Sequence, residues 1–255
     1  MASREQVKWL LFPGINLHAR LRWHLLPCYF SKAAPGEDRS VLDAGCGNGM
    51  LAYQSYRLGN RVLAVSIKSA EVAGCQRLFN RHLAIPEERL RFEVRNLHDI
   101  KQIDVQFDEI ICSETLEHIR DDRSVCAAFY DLLKPNGILH LCAPYAEHPE
   151  HKRRRLDPSE SGDHVRAGYT PDSYRQLLEP LGFTTEEYVG LGGPTRQWFN
   201  RNIIRAERLG GFGLGFMLFV LASVVVWLDP ATPPVPYSLY VRAVKLVAPS
   251  NRPRP

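Results

Sequence analysis

From residue 39 to residue 190 the chain alternates short apolar runs with longer stretches whose apolar positions recur at helical spacing. Residues 62–67, 90–94, 107–112 and 138–144 have the length and β-branched content of strands, and a shorter run begins at Val41. Residues 50–58, 70–83 and 116–133 read as the helices between them. Near-continuous apolar strands separated by helices predict a parallel sheet buried on both faces. Thr170-Pro171 starts a further helix running to residue 181, with Thr as N-cap and Pro at the first helical position. Residues 184–189 and 237–247 supply the sixth and seventh strands. The expected fold is α/β, a seven-stranded sheet with helices on both faces.

Two segments fall outside that alternation. In residues 1–38, Trp9-Leu10-Leu11-Phe12 and the stretch 17–30 mix apolar residues with His18, Arg20, Arg22 and His24, broken at Pro13-Gly14 and Pro27. This predicts an N-terminal cap of amphipathic helices ahead of one domain over 39–255. The second segment is an insertion over about 196–230, before the last strand. Its residues 209–228, LGGFGLGFMLFVLASVVVWL, carry no charge and match the roughly twenty residues of a bilayer span, with Arg196, Arg201, Arg205 and Arg208 ahead of them. A single span would leave the seventh strand on the wrong side of the membrane. Besides such a span, two readings stay open. The insertion lies in a membrane surface or hairpins back from it, with Trp198, Phe199 and Trp227 at the interface, or it packs over a pocket or a subunit interface.

Composition narrows little: 24% charged, 45% hydrophobic and a formal charge of +4 over 255 residues suit a globular protein and do not argue for nucleic acid. The six cysteines are scattered, without a C-x-x-C pair, which predicts reduced and mostly buried thiols. With no run at the N-terminus resembling a signal peptide, the expected location is cytoplasmic, with membrane association at 209–228 left open.

The chemistry concentrates in Val41-Leu42-Asp43-Ala44-Gly45-Cys46-Gly47-Asn48-Gly49. An apolar strand ends in an acid, a glycine turn follows, and a helix begins, the opening unit of a nucleotide-binding α/β domain. The G-x-G-x-G spacing with Asp43 ahead of it resembles motif I of class I S-adenosylmethionine-dependent methyltransferases. That resemblance implies a Rossmann-like sheet. It also implies that Asp43, Gly45, Cys46, Gly47, Asn48 and Gly49 border the methionine part of the cofactor. By the same resemblance Ser66 and Ile67 face the ribose and adenine, Asn96 and Leu97 hold the adenine, and Ser113 and Glu114 flank the sulfonium. Ser66 and Asn96 depart from the family, which places an acid at each position. A neutral acceptor makes the weaker bond to a ribose hydroxyl, by about 1–2 kcal/mol.

Glu114-Thr115-Leu116-Glu117-His118 resembles the E-x-x-E-H of ubiquinone-pathway O-methyltransferases and small-RNA 2′-O-methyltransferases. The resemblance implies a divalent cation such as Mg2+ on Glu114, Glu117, His118 and His164, with the first three projecting to one side of a helix at i, i+3 and i+4. His118 or His164 as a metal-free general base is the alternative; His98 and Asp99 are further candidates. Arg166 and Tyr169 follow the basic run His151-Lys152-Arg153-Arg154-Arg155 and are the candidate acceptor contacts. The expected activity is methyl transfer from S-adenosylmethionine to a hydroxyl of a small, lipid-like acceptor. The alternatives are an RNA-end 2′-O-methyltransferase and a non-catalytic membrane-associated binding module.

Overall fold

The computed structural model describes residues 12–246, the side chains of Phe212 and Trp227 excepted. Trp9-Leu10-Leu11, Val247 and the side chain of Trp227 therefore lie outside the described residues. In chain order the elements are α1 (Leu17–Leu25), β1 (Ser40–Ala44), α2 (Met50–Arg57), β2 (Arg61–Ser66) and α3 (Ser69–Cys75). β3 (Leu90–Val94), β4 (Phe107–Ser113), α4 (Asp122–Leu132) and β5 (Leu133–Pro144) follow. The last are α5 (Pro149–Lys152), α6 (Pro171–Leu178), β6 (Phe183–Leu191), α7 (Pro194–Val225) and β7 (Ser238–Lys245).

The seven strands form one sheet in the order β3-β2-β1-β4-β5-β7-β6. β1 to β5 pair in parallel, as the apolar runs predict, but β7 is antiparallel to both β5 and β6. The sheet is mixed, because β7 slots in between strands that both run the other way. Neighbouring residues on the central strands feed opposite faces, the two-residue period of a strand. Leu42 and Ile110 join Val125, Phe129, Tyr174 and Leu178 on one side; Val41 and Ile111 join Leu51, Phe79 and Tyr240 on the other.

Three local expectations change. The helix expected from residue 116 starts at Asp122, because the Asp121 carboxylate accepts from Ser124 N at 3.0 Å and caps it there. Leu116–His118 is only a 3-10 turn, so Glu114 is not on a helix with Glu117 and His118. Lys134-Pro135-Asn136-Gly137 lies inside β5 as an irregularity, where the register against β4 shifts between Phe107 and Glu109.

The N-terminal cap is fastened by a buried carboxylate. Glu109 on β4 accepts from Ser31 N at 2.9 Å and from the Ser31 hydroxyl, and His140 Nε2 lies 3.5 Å away. His140 Nδ1 meets the Tyr240 hydroxyl at 2.8 Å. Burial pushes the Glu109 carboxyl up, but His140 and Ser31 outweigh it and hold it below the usual range. A depressed carboxylate stabilises the fold above its unfolded pKa and loses that contribution as pH falls through its folded one. Glu109→Gln is expected to lower unfolding free energy by about 2–3 kcal/mol at neutral pH. Urea melts should show that gap narrowing in acid; a constant gap would contradict the assignment.

The apolar insertion is an antiparallel helical hairpin. α7 breaks at Gly211 (φ 71°, ψ −173°), and Glu207 packs beside Gly215 across the bend. At its base Asp229 Oδ1 and Oδ2 accept from Thr195 N at 2.8 Å and Arg196 N at 3.1 Å, so the returning chain caps the departing helix. Among the described residues no helix is long and apolar enough to cross a membrane. One face of the returning arm, with Phe219, Ala222 and Val226, packs on Leu17 of α1 and Ile203 of the first arm.

Candidate active site

The site lies where β1, β2 and β4 end. A cavity of about 260 Å³ is lined by Gly45, Gly47, Ser66, Ile67, Glu71, Asn96, Leu97, Glu114, Thr115 and His118. Asp43 sits at the end of β1, 1% exposed, with Oδ2 lacking a protein partner. Burial pushes its carboxyl up to about 7, against the pull of the Ala52 backbone N–H. The turn then folds back on β2, Gly45 N and Cys46 N donating to Val65 O at 2.9 and 2.8 Å.

Two of the glycines have separate reasons. At Gly45 (φ +90°) a Cβ would stand 2.2 Å from Thr115 Oγ1, so no other residue fits between the turn and the strand four loop. At Gly47 (φ +52°) a Cβ would meet nothing within 4 Å, because the backbone there faces open space. Cys46 is buried and its thiol is pushed up by Cys75 and by burial, so it is packing rather than chemistry. Asn48 donates to Pro13 O at 3.0 Å and accepts from Met50 N at 3.2 Å, tying the cap to the turn. Gly49 is the N-cap of α2.

Ser66 does not stand alone. Its hydroxyl donates to Glu71 Oε2 at 2.7 Å and accepts from Lys68 N at 3.2 Å. Glu71, in the first turn of α3, thus brings a carboxylate to the place where β2 ends in a neutral residue. Sequence reading missed it because an acid in a first helical turn is an ordinary feature. Asn96 spends one lone pair of its side-chain oxygen on His98 N at 3.1 Å, leaving the other and the amide group. Leu97 is buried and Ile67 exposed, both on the cavity wall. Among the described residues the buried Ser113 hydroxyl has no nitrogen or oxygen partner.

Glu114 is turned by its left-handed backbone (φ 53°) toward the cap. It accepts from Ser238 Oγ at 2.9 Å and pairs with Arg22 at 3.4 Å. It leaves Glu117, His118 and His164, whose ligand atoms lie within 4.8 Å of one another. The four-ligand arrangement therefore narrows to three, with Glu114 on the cofactor side. Glu117 is 1% exposed with Oε2 unpartnered. Burial, then Glu114, pushes its carboxyl well above the usual range. His118 Nδ1 lies 3.0 Å from Asp163 O, so Nδ1 carries the proton and Nε2 is the free ligand atom. Burial, Arg154 and His118 lower His164 to about 4, so its ring is neutral.

The loop after β5 roofs this site. Glu160 accepts from Arg120 N and meets His98 Nε2 at 3.0 Å, and Val165 N donates to Glu117 O at 2.8 Å. An open cavity of about 870 Å³ adjoins it, walled by Arg154, Arg155, His118, Asp163 and His164. Arg154 NH1 lies 2.8 Å from His164 Nδ1. Arg166 and Tyr169, expected to contact the acceptor, do something else. Tyr169 is 3% exposed and donates to Asp122 Oδ2 at 2.6 Å, while Arg166 pairs with the same carboxylate and donates to Ile119 O at 2.8 Å. Together they latch the loop to the start of α4. Asp99 opens the turn Leu97–Gln102 as a first-turn acid.

The family described as a methyltransferase domain matches residues 36–178, more than half of the chain. The chain belongs to that family, the class I S-adenosylmethionine-dependent methyltransferases. It is 27% identical over 159 residues to an uncharacterized methyltransferase of Schizosaccharomyces pombe, covering 59% of this chain and 55% of the relative. Against a ubiquinone biosynthesis O-methyltransferase of Dinoroseobacter shibae it is 28% identical over 169 residues, covering 62% and 64%. The chain thus spans 55% and 64% of the length of these relatives. A crystal structure of an S-adenosylmethionine-dependent methyltransferase from Mesorhizobium loti superimposes with a TM-score of 0.58 at 17% identity, covering 89% and 99%, which concerns the fold alone.

The residues present fit the family's cofactor. The open backbone at Gly47 leaves room beside the turn, and Ser66 with Glu71 offers a hydroxyl and a carboxylate where ribose hydroxyls would lie.

Proposed function

We propose that the protein transfers a methyl group from S-adenosylmethionine to a hydroxyl of a small, lipophilic acceptor, with a divalent transition-metal ion on Glu117, His118 and His164. The observation that carries this reading is the convergence of those three side chains at the mouth of the cofactor cleft, around a buried carboxylate oxygen without a partner. One carboxylate and two imidazoles suit Zn2+, Mn2+ or Fe2+ better than Mg2+, which prefers all-oxygen ligands. Such an ion lowers the pKa of a hydroxyl bound to it, and the bound cofactor supplies an electrophilic methyl.

The chain's own residues then have separable tasks. Glu71 and Ser66 would hold the ribose, and Ile67, Leu97 and Asn96, on the same cavity wall, would hold the adenine. Gly47 leaves the methionine moiety its room. Glu114, fixed by Arg22 and Ser238, lines the reaction side. Asp163 O fixes the His118 tautomer, and Arg154, now against both ring nitrogens of His164, would have to leave that ring for an ion to be held there. The acceptor approaches through the cavity that Arg155, Asp163 and His164 help to wall, and the name of the Dinoroseobacter relative directs the search to oxygen acceptors.

Calorimetric titration with S-adenosylmethionine tests the cofactor part. Micromolar affinity is expected, near −8 kcal/mol, and no heat at several temperatures would refute it. Activity on lipophilic phenols and diols should disappear with chelator and return with Mn2+ or Zn2+; indifference to chelator would refute the metal. Glu71→Gln should weaken cofactor binding by about 10–100-fold, the worth of a hydrogen bond to a charged group. Equal affinity in native and variant chains would remove Glu71 from the ribose site.

A further inference from the structure

We infer that the α7 hairpin is a docking surface for an anionic phospholipid bilayer. The returning arm buries one face on α1, yet its opposite face is also apolar and open. Met217 (69% exposed), Val220, Leu221, Val224 (73%) and Leu228 (78%) follow one another at helical spacing along that face. Leu209, at the bend, is 87% exposed. An apolar helix face of this length on the outside of a protein marks a contact with a partner or a membrane.

Charge selects the lipid. Arg205 and Arg208 on the first arm are exposed, as are Arg153 and Arg155 in the loop that the Glu150–Arg201 ion pair holds beside it. None of these four has a carboxylate within ion-pair distance among the described residues. From Pro194 to Leu228 the sequence holds one acid, Glu207, and it is folded onto Gly215. A cationic rim around an apolar face matches anionic headgroups over acyl chains. A second copy would bring the same uncompensated arginines and no matching acids. Trp198, exposed on the first arm, has the amphipathic ring suited to the headgroup level.

The surface is coupled to the site through α1. Leu17 packs against the hairpin and Arg22, on the same helix, pairs with Glu114 of the cofactor cleft. Docking therefore holds the cleft close to the bilayer, where an apolar acceptor is dissolved.

The test is sedimentation of the full chain with phosphatidylcholine vesicles, with and without phosphatidylserine, at low and high salt. Binding is expected only with phosphatidylserine and should weaken with salt. Met217→Asp/Val224→Asp should reduce partitioning at least about tenfold by removing apolar insertion. Arg205→Glu/Arg208→Glu should reduce it by roughly fivefold per arginine. Both variants should keep native circular dichroism and S-adenosylmethionine affinity, which separates failure of docking from failure of the cofactor reading. No sedimentation of the native chain, or equal sedimentation of all three proteins, would overturn the inference. So would a concentration-dependent dimer of the native chain that Met217→Asp/Val224→Asp splits.

Discussion

Gly47→Val is expected to abolish S-adenosylmethionine binding, a loss on the order of 100-fold or more in affinity. The cause is steric. The backbone at Gly47 faces open space with nothing within 4 Å of an added Cβ, and Gly47 lines the cofactor cleft as well as a second cavity beside Phe12 and Ala70. A branched side chain fills that open space. There is a second, smaller effect, because φ is +52° and a β-branched residue is strained there by about 1–2 kcal/mol. Gly47→Ala separates the two: it shares the backbone strain and adds much less bulk. Thermal melts should place both variants a few degrees below the native protein, while calorimetry should show far weaker binding for valine than for alanine. Comparable affinity in all three proteins would dissociate the turn from the cofactor.

Glu117→Gln is expected to lower affinity for Mn2+ or Zn2+ by more than the roughly 10–100-fold that loss of an outer-shell partner costs, and activity with it. Glutamine keeps the shape of the side chain but not its charge, and here the charge is what a cation would compensate. Glu117 is walled in, its Oε2 has no protein partner, and Glu114 adds a second negative group nearby. Without a cation the native chain holds this carboxyl against both burial and repulsion. Glu117→Gln should therefore be at least as stable as the native protein when both are metal-free, and less stable when both are metal-loaded. Metal content by elemental analysis together with paired thermal melts reads both halves. A variant less stable in the absence of metal would make Glu117 a structural residue.

The strands and the glycine turn were legible because both are local. A strand buried on both faces must be apolar throughout, and a turn pressed on Thr115 must be glycine at Gly45. What failed to show in the sequence was set by distant partners. The direction of β7 depends on which strands it sits between. Glu114 looks like the first member of an E-x-x-E-H triplet, yet a left-handed backbone sends it to Arg22, 92 residues before it, and to Ser238, 124 after it. Arg166 and Tyr169 resembled pocket residues until Asp122 was seen to bind both. Glu71 was hidden for the opposite reason, its position being too ordinary to single out. The Glu117, His118 and His164 cluster was partly readable, since Glu117 and His118 are adjacent; His164 joins them only because the loop folds back along Glu117.

The clasp that Asp229 forms with Thr195 and Arg196 brings the two ends of the insertion together beside the sheet. Everything between them is an appendage on a closed stem, joined to the catalytic half chiefly through α1. Its length and greasiness can be retuned, or traded for another hairpin, while the strands that frame the methyl chemistry keep their register. On the docking proposed above, what addresses the chain lies in a piece separable from the sheet that holds the cleft.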